Sequence, residues 1–94
     1  MVEVIFDEWD CYIEFGEYPN GRTAIELINK EDGDSVLVAS VNLPDEILNS
    51  GEIAIKNYSE NTGVMELLIN TGVISQPIRY VNTGMVRIPI CKKL

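Results

Sequence analysis

Asp7, Glu8, Asp10, Glu14 and Glu17 place five carboxylates within eleven residues. Paired carboxylates are the raw material of acid–base catalysis and of calcium coordination. Neither chemistry finds its remaining parts here. The chain has no histidine, which removes the commonest general base, the commonest metal ligand and the Ser-His and Cys-His nucleophile pairs. The carboxylates also lack the Asp-x-Asp-x-Asp-Gly spacing of a calcium loop. Glu31-Asp32-Gly33-Asp34 resembles a piece of one, but no bidentate Glu follows at the required distance, and the segment reads as a hairpin tip. Two cysteines, Cys11 and Cys91, are too few for a four-ligand zinc site without histidine. They read as buried thiols rather than as a disulfide framework. The residues point away from an enzyme and from any cofactor or metal.

What the carboxylates can do is present charge. From Trp9 to Phe15 the pattern alternates, with Trp9, Cys11, Ile13 and Phe15 on one side and Asp10, Tyr12 and Glu14 on the other. This is a half-buried strand with an apolar face and an acidic face. With Glu26 from the following strand, Asp10, Tyr12 and Glu14 form the first candidate partner-binding surface. The second is the loop Asn57 to Gly63, where Asn57, Tyr58 and Glu60 lead into a helix. Free amides at a helix start can hold an anion. The Gly-Lys-Ser/Thr pattern of a phosphate loop is missing, so helix capping is the simpler role. The four tyrosines and Trp9 are enough to anchor a protein interface, and they fill cores equally well.

The formal charge of −8 is unevenly spread. All fifteen acids lie at or before Glu66, against only Arg22, Lys30 and Lys56, so this segment carries −12. Beyond it, Arg79, Arg87, Lys92 and Lys93 give +4. Phosphate would repel such a domain, which argues against direct nucleic-acid binding. Arg79 and Arg87 are expected to pair with the domain's own acids. Two readings of the acidity stand side by side: solubility alone, or a face that imitates nucleic acid and docks on a basic protein. No run reaches the roughly 18 apolar residues of a membrane helix. The acidic N-terminus differs from a signal peptide, which implies a cytoplasmic address.

The elements that position these residues follow from the turn chemistry. Short β-rich runs are expected over Val2–Phe6, Trp9–Phe15, Thr23–Lys30, Ser35–Leu43, Glu52–Lys56, Ile78–Val81 and Met85–Cys91. Asn20-Gly21, Asp32-Gly33 and Asn82-Thr83-Gly84 separate them as tight turns. Pro44 at a first helical position could open a single turn over residues 42–48. Pro89 lacks an amide donor, which favours an edge for the last strand, or pairing on one side only at that point. The one convincing helix spans about residues 60–71. Ser59, Asn61 or Thr62 would cap it, Val64, Met65, Leu68 and Ile69 give its apolar stripe, and Gly72 would end it. The expected architecture is a single α+β domain, residues 1–94. It is a mostly antiparallel curled sheet of six or seven short strands with the helix packed on it.

Five strings carry a family resemblance across most of the chain: Glu14-Phe15-Gly16, Asn20-Gly21-Arg22-Thr23-Ala24, Val41-Asn42-Leu43-Pro44, Ile55-Lys56-Asn57-Tyr58-Ser59-Glu60-Asn61 and Ile88-Pro89-Ile90-Cys91. They resemble a group of small acidic domains of unknown function carried by phages and conjugative elements of gut-type bacteria. The resemblance carries no catalytic residues. It implies a mobile-element setting, where accessory proteins often counter host defence by binding a nuclease. The functional expectation is a non-enzymatic protein-binding module, an inhibitor of the anti-CRISPR or anti-restriction kind. The alternative is a structural protein that forms a homodimer through a strand edge.

Overall fold

A computed structural model describes residues 2–94. The first four strands, β1 (Glu3–Phe6), β2 (Trp9–Glu17), β3 (Thr23–Asn29) and β4 (Ser35–Val38), form an antiparallel meander in the order β1-β2-β3-β4. A second, three-stranded antiparallel sheet has the order β5-β7-β6, from β5 (Glu52–Ala54), β6 (Arg79–Thr83) and β7 (Val86–Lys92). Between β5 and β6 lie a short 3-10 turn, Ser59–Asn61, and the helix α1, Val64–Asn70. The strand-dominated antiparallel α+β class expected from sequence is present. The single curled sheet is not: seven strands divide into two sheets.

The division happens within one run of residues. Ser35 to Leu43 was expected as one strand, but β4 pairs with β3 only as far as Val38, and Ala39 N–H makes the last contact, with the Ile25 carbonyl at 2.7 Å. The Ala39 carbonyl then accepts from Lys56 N–H at 2.8 Å, and Val41 N–H donates to the Ala54 carbonyl at 3.0 Å. The chain has changed partner from β3 to the β5 segment, with Ser40 bridged to Ile55. This would leave the buried Ile25 N–H without an acceptor. The Ser40 hydroxyl supplies one at 3.0 Å, and it also bonds the Tyr18 hydroxyl at 2.9 Å. A backbone donor cannot be buried unpaired at small cost, so a side-chain oxygen at position 40 replaces the lost ladder carbonyl.

The main core lies where the meander, the β5 and β7 segments and the helix meet. Val4, Cys11, Ile13, Ile25, Leu27, Leu37, Ile53, Ile55 and Cys91 meet the helix residues Val64 and Leu68, which are fully buried. Met65 and Ile69 flank them and Glu66 faces water, as the apolar stripe requires. A second cluster, Ala54, Ile88 and Ile90, lies under Val41, Leu43, Leu48 and Tyr58, so residues 41–48 form a strap over it. That strap contains a turn closed by Glu46 N–H on the Leu43 carbonyl at 3.0 Å, and it is not a helix.

The two ends of the helix had different outcomes. Val73 N–H donates to the Leu68 carbonyl and Gly72 N–H to the Ile69 carbonyl, the paired bonds of a Schellman ending, with Gly72 at φ 80°. The start is a correction. The helix begins at Val64 rather than near residue 60, and none of Ser59, Asn61 or Thr62 caps it. Gly63 precedes it at φ 95°, and the Asn57 side chain reaches across the loop to accept from Gly63 N–H at 3.2 Å and Met65 N–H at 3.0 Å. Asn61 instead points inward, fully buried, and donates to the Val38 carbonyl at 2.7 Å.

For Pro89 the edge reading is corrected, because β7 is the central strand of its sheet, while the other reading holds: at Pro89 the ladder partner is on the β6 side alone. The Pro89 carbonyl accepts from Ile55 N–H at 3.0 Å, immediately beyond the last β5 pair, Ala54 with Ile90. In an extended strand the N–H and C=O of one residue point the same way. The missing donor therefore faces the point where the β5 ladder stops, and proline shortens that ladder rather than interrupting the pairing with β6.

Ser40→Ala should destabilise the protein by about 1–3 kcal/mol in urea denaturation, the cost of a buried N–H left unpaired. A change well under ~0.5 kcal/mol would show that the hydroxyl does not serve this junction.

Candidate functional site

Cross-strand register decides which side chains share the outer face of the meander. Asp10 lies opposite Ile5, Tyr12 opposite both Glu3 and Ile28, Glu14 opposite Glu26, and Glu26 opposite Val38. The four face residues read from sequence, Asp10, Tyr12, Glu14 and Glu26, are therefore brought together on β2 and β3. Two large apolar side chains flank the face: Ile5 on β1 is 64% exposed and Val38 on β4 is 43% exposed. Ile28 is buried in the same face.

Its charge is graded. At one end Lys30 reaches across β2 to Glu3, Nζ to Oε1 at 2.8 Å. That contact holds the Glu3 carboxyl below its ordinary range and lifts the Lys30 ammonium above its own. At the other end Glu14 and Glu26 stand as direct cross-strand neighbours, and among the described residues neither forms an ion pair. Like charges directly opposite each other work against the sheet. Beside them a shallow groove of about 280 Å3 runs past Gly16, Tyr18 and Ala24 to Val38.

Trp9 was expected on the buried side and is 46% exposed, which is a correction. It lies at the end of β2, opposite the buried Phe6, on the side of the strand away from Asp10. It borders a groove of about 650 Å3 with Glu8, Asp10, Asn29, Lys30 and Glu31. Strict alternation placed it with Cys11 and Ile13, and no local signal separated it from them.

The loop before the helix spends its polar groups internally. Asn57 caps α1 as described. Glu60 pairs with Lys56 at 2.6 Å, which draws its carboxyl below the ordinary range and raises the lysine. The same ammonium lies 5.6 Å from the Tyr58 ring centre, and Tyr58 packs on the second apolar cluster. Asn57, Tyr58 and Glu60 thus hold the helix start and the strap.

Two arginines hold that strap from opposite sides. Arg22 donates to the carbonyls of Leu43 and Glu46. Arg79 donates to the Ile47 carbonyl at 3.0 Å and to Glu52 Oε1 at 2.8 Å. Glu52 is buried, and its carboxylate also accepts from Asn49 N–H at 2.9 Å and Asn49 Nδ2 at 3.3 Å. The Asn49 amide, then Arg79, keep its carboxyl below the usual glutamate range. The expected pairing of Arg79 with an internal acid is present. Arg87 instead stacks over the Tyr80 ring at 4.0 Å. Both cysteines are free and buried in the main core; burial pushes the Cys91 thiol up to about 11, and burial followed by the Asp10 charge raises Cys11. Such thiols are poor nucleophiles at neutral pH.

No family model, curated protein or solved structure matches the chain. Among the described residues no helix is long and apolar enough to cross a membrane.

The depressed Glu52 carboxyl gives a signed pH prediction. Its contribution is complete above the ordinary value of 4.5 and is lost as pH falls through the lowered folded value. Glu52→Gln should be less stable than the native protein at pH 7, and the gap in urea midpoint should narrow steadily below pH 4.5. A gap that is constant down to pH 2 would remove this carboxylate from the acid response.

Proposed function

We propose that this protein is a non-enzymatic binding module whose acidic sheet face, centred on Glu14 and Glu26, docks on the basic surface of a protein partner. The observation that carries the reading is the unpaired juxtaposition of those two carboxylates. Three other acids have a cationic partner: Glu3 with Lys30, Glu52 with Arg79, Glu60 with Lys56. At Glu14 and Glu26 the fold sets like charges side by side, at a cost of a few tenths of a kcal/mol. A basic groove laid over the face would relieve that repulsion. Asp10 extends the charge, and Ile5, Val38 and Tyr12 provide area that can be desolvated around it.

A basic groove of this kind ordinarily receives nucleic-acid phosphate. The finer form of the proposal is therefore an inhibitor that imitates nucleic acid and blocks a nuclease of a host defence system, working in the cytoplasm on behalf of a phage or other mobile element. The family resemblance and the acidity support this form. Electrostatic steering would make association fast and strongly dependent on salt.

A second reading has its own observation. Of the four terminal strands, β1 and β6 have an edge with no strand partner among the described residues, and β1 carries the exposed Ile5. A second copy pairing there would give a homodimer through main-chain bonds. A light-scattering mass that rises with concentration favours that reading.

The double variant Glu14→Gln/Glu26→Gln separates function from stability. It should match or exceed the native protein in thermal stability by up to about 1 kcal/mol, because a cross-strand repulsion is gone. Immobilised on a resin, it should fail to retain, from a bacterial lysate at low salt, the basic protein that the native domain retains and that duplex DNA competes away. Equal retention by variant and native protein would sink the proposal.

A further inference from the structure

Asn20 is the only one of the eight asparagines followed by glycine. It is exposed in the β2–β3 turn, and both atoms of its carboxamide are engaged. Its Oδ1 accepts from Arg22 N–H at 3.2 Å, and its Nδ2 donates to Asn42 Oδ1 at 3.1 Å. The first bond folds the carboxamide back along the Gly21 peptide and holds it there while the turn is closed. The second ties the leaving nitrogen to the start of the strap. Gly21 has no side chain to shield its nitrogen, and its N–H donates to the Tyr18 carbonyl at 2.8 Å.

We propose that Asn20 is a self-modification site, at which the side-chain amide converts to a carboxylate under the restraint of Asn42, and that this conversion loosens the strap over Ala54, Ile88 and Ile90. In the reaction the Gly21 nitrogen gives up its proton to solvent base and forms a bond to Asn20 Cγ. The Cγ–Nδ2 bond breaks, and the nitrogen takes a proton from solvent and leaves as ammonia. Water then opens the cyclic imide, at Cγ to give aspartate or at the main-chain carbonyl to give isoaspartate. No oxidant or further reactant is needed. Asparagine amides are among the heat-labile groups of proteins.

Each product changes the same contacts. The Nδ2 donor to Asn42 disappears, and a carboxylate stands where it was, facing the Asn42 oxygen. In the isoaspartate form the turn gains a backbone carbon two residues before Arg22, whose guanidinium holds the Leu43 and Glu46 carbonyls. The strap then loses its Asn20 tether and has its Arg22 tether displaced, while Arg79 keeps the Ile47 carbonyl. Because Asn42 restrains the amide and the Gly21 N–H is occupied, conversion in the folded protein proceeds through opening of the turn.

The test incubates the purified protein at mildly alkaline pH and maps peptides by mass spectrometry, with isoaspartyl methyltransferase as a probe for the rearranged product. The expected result is that residue 20 gains the acid before any other asparagine, several-fold faster in Asn42→Ala than in the native chain. Asn20→Gln should lose the reaction. In Asn20→Asp, hydrogen exchange at the Glu46 amide should quicken several-fold. Earlier conversion at another asparagine, or an Asn42→Ala rate equal to the native one, would overturn the site or its restraint respectively. Unchanged Glu46 exchange in both the aspartate and the isoaspartate forms would overturn its link to the strap.

Discussion

The fold depends on a change of partner at Ser40. One strand leaves β3 and joins the β5 segment within three residues, and that step links the two sheets. It carries the chain from the meander to the three-stranded sheet, which leaves the main core enclosed between the two and the helix. It also starts the strap that closes the second apolar cluster. The step exposes a buried N–H on Ile25, and a single hydroxyl answers it. The physical constraint is the general one on buried backbone donors, and here one side chain meets it.

The electrostatics divide along the same line. Around the strap three charged groups are engaged within the fold: Arg22 and Arg79 bond backbone carbonyls, and Glu52 is bonded by Asn49 and Arg79. On the outer face of the meander charge is left to solvent, with Glu14 and Glu26 side by side. A chain of net charge −8 needs some of its acids at the surface for solubility alone. The specific placement of two of them in direct register is what makes the face a candidate for recognition.

Much of the site was legible because strand periodicity is a local property. The alternation from Trp9 to Phe15 put Asp10, Tyr12 and Glu14 on one side, and that holds. Periodicity failed at Trp9 because burial at a strand's end depends on how far the core extends. The capping role read for the loop 57–63 holds, but Asn57 fills it rather than Ser59, Asn61 or Thr62. Asn57 caps amides six and eight residues ahead, outside the short spacing on which cap signatures rest. Lys56 is the partner of Glu60, a pairing at i, i+4 that the sequence offered and the loop geometry realised.

By itself, the sequence determined the antiparallel strand-rich class, the Schellman ending at Gly72 and the acidic face, because turns, helix endings and alternation act over a few residues. Only the tertiary structure decided that seven strands form two sheets, that β7 with its Pro89 lies at the centre of one, and that Arg79 rather than Arg87 meets a carboxylate. Those outcomes rest on which distant segment offers the complementary hydrogen bond. That choice is made where the strand hands over at Ser40, and no local pattern encodes it.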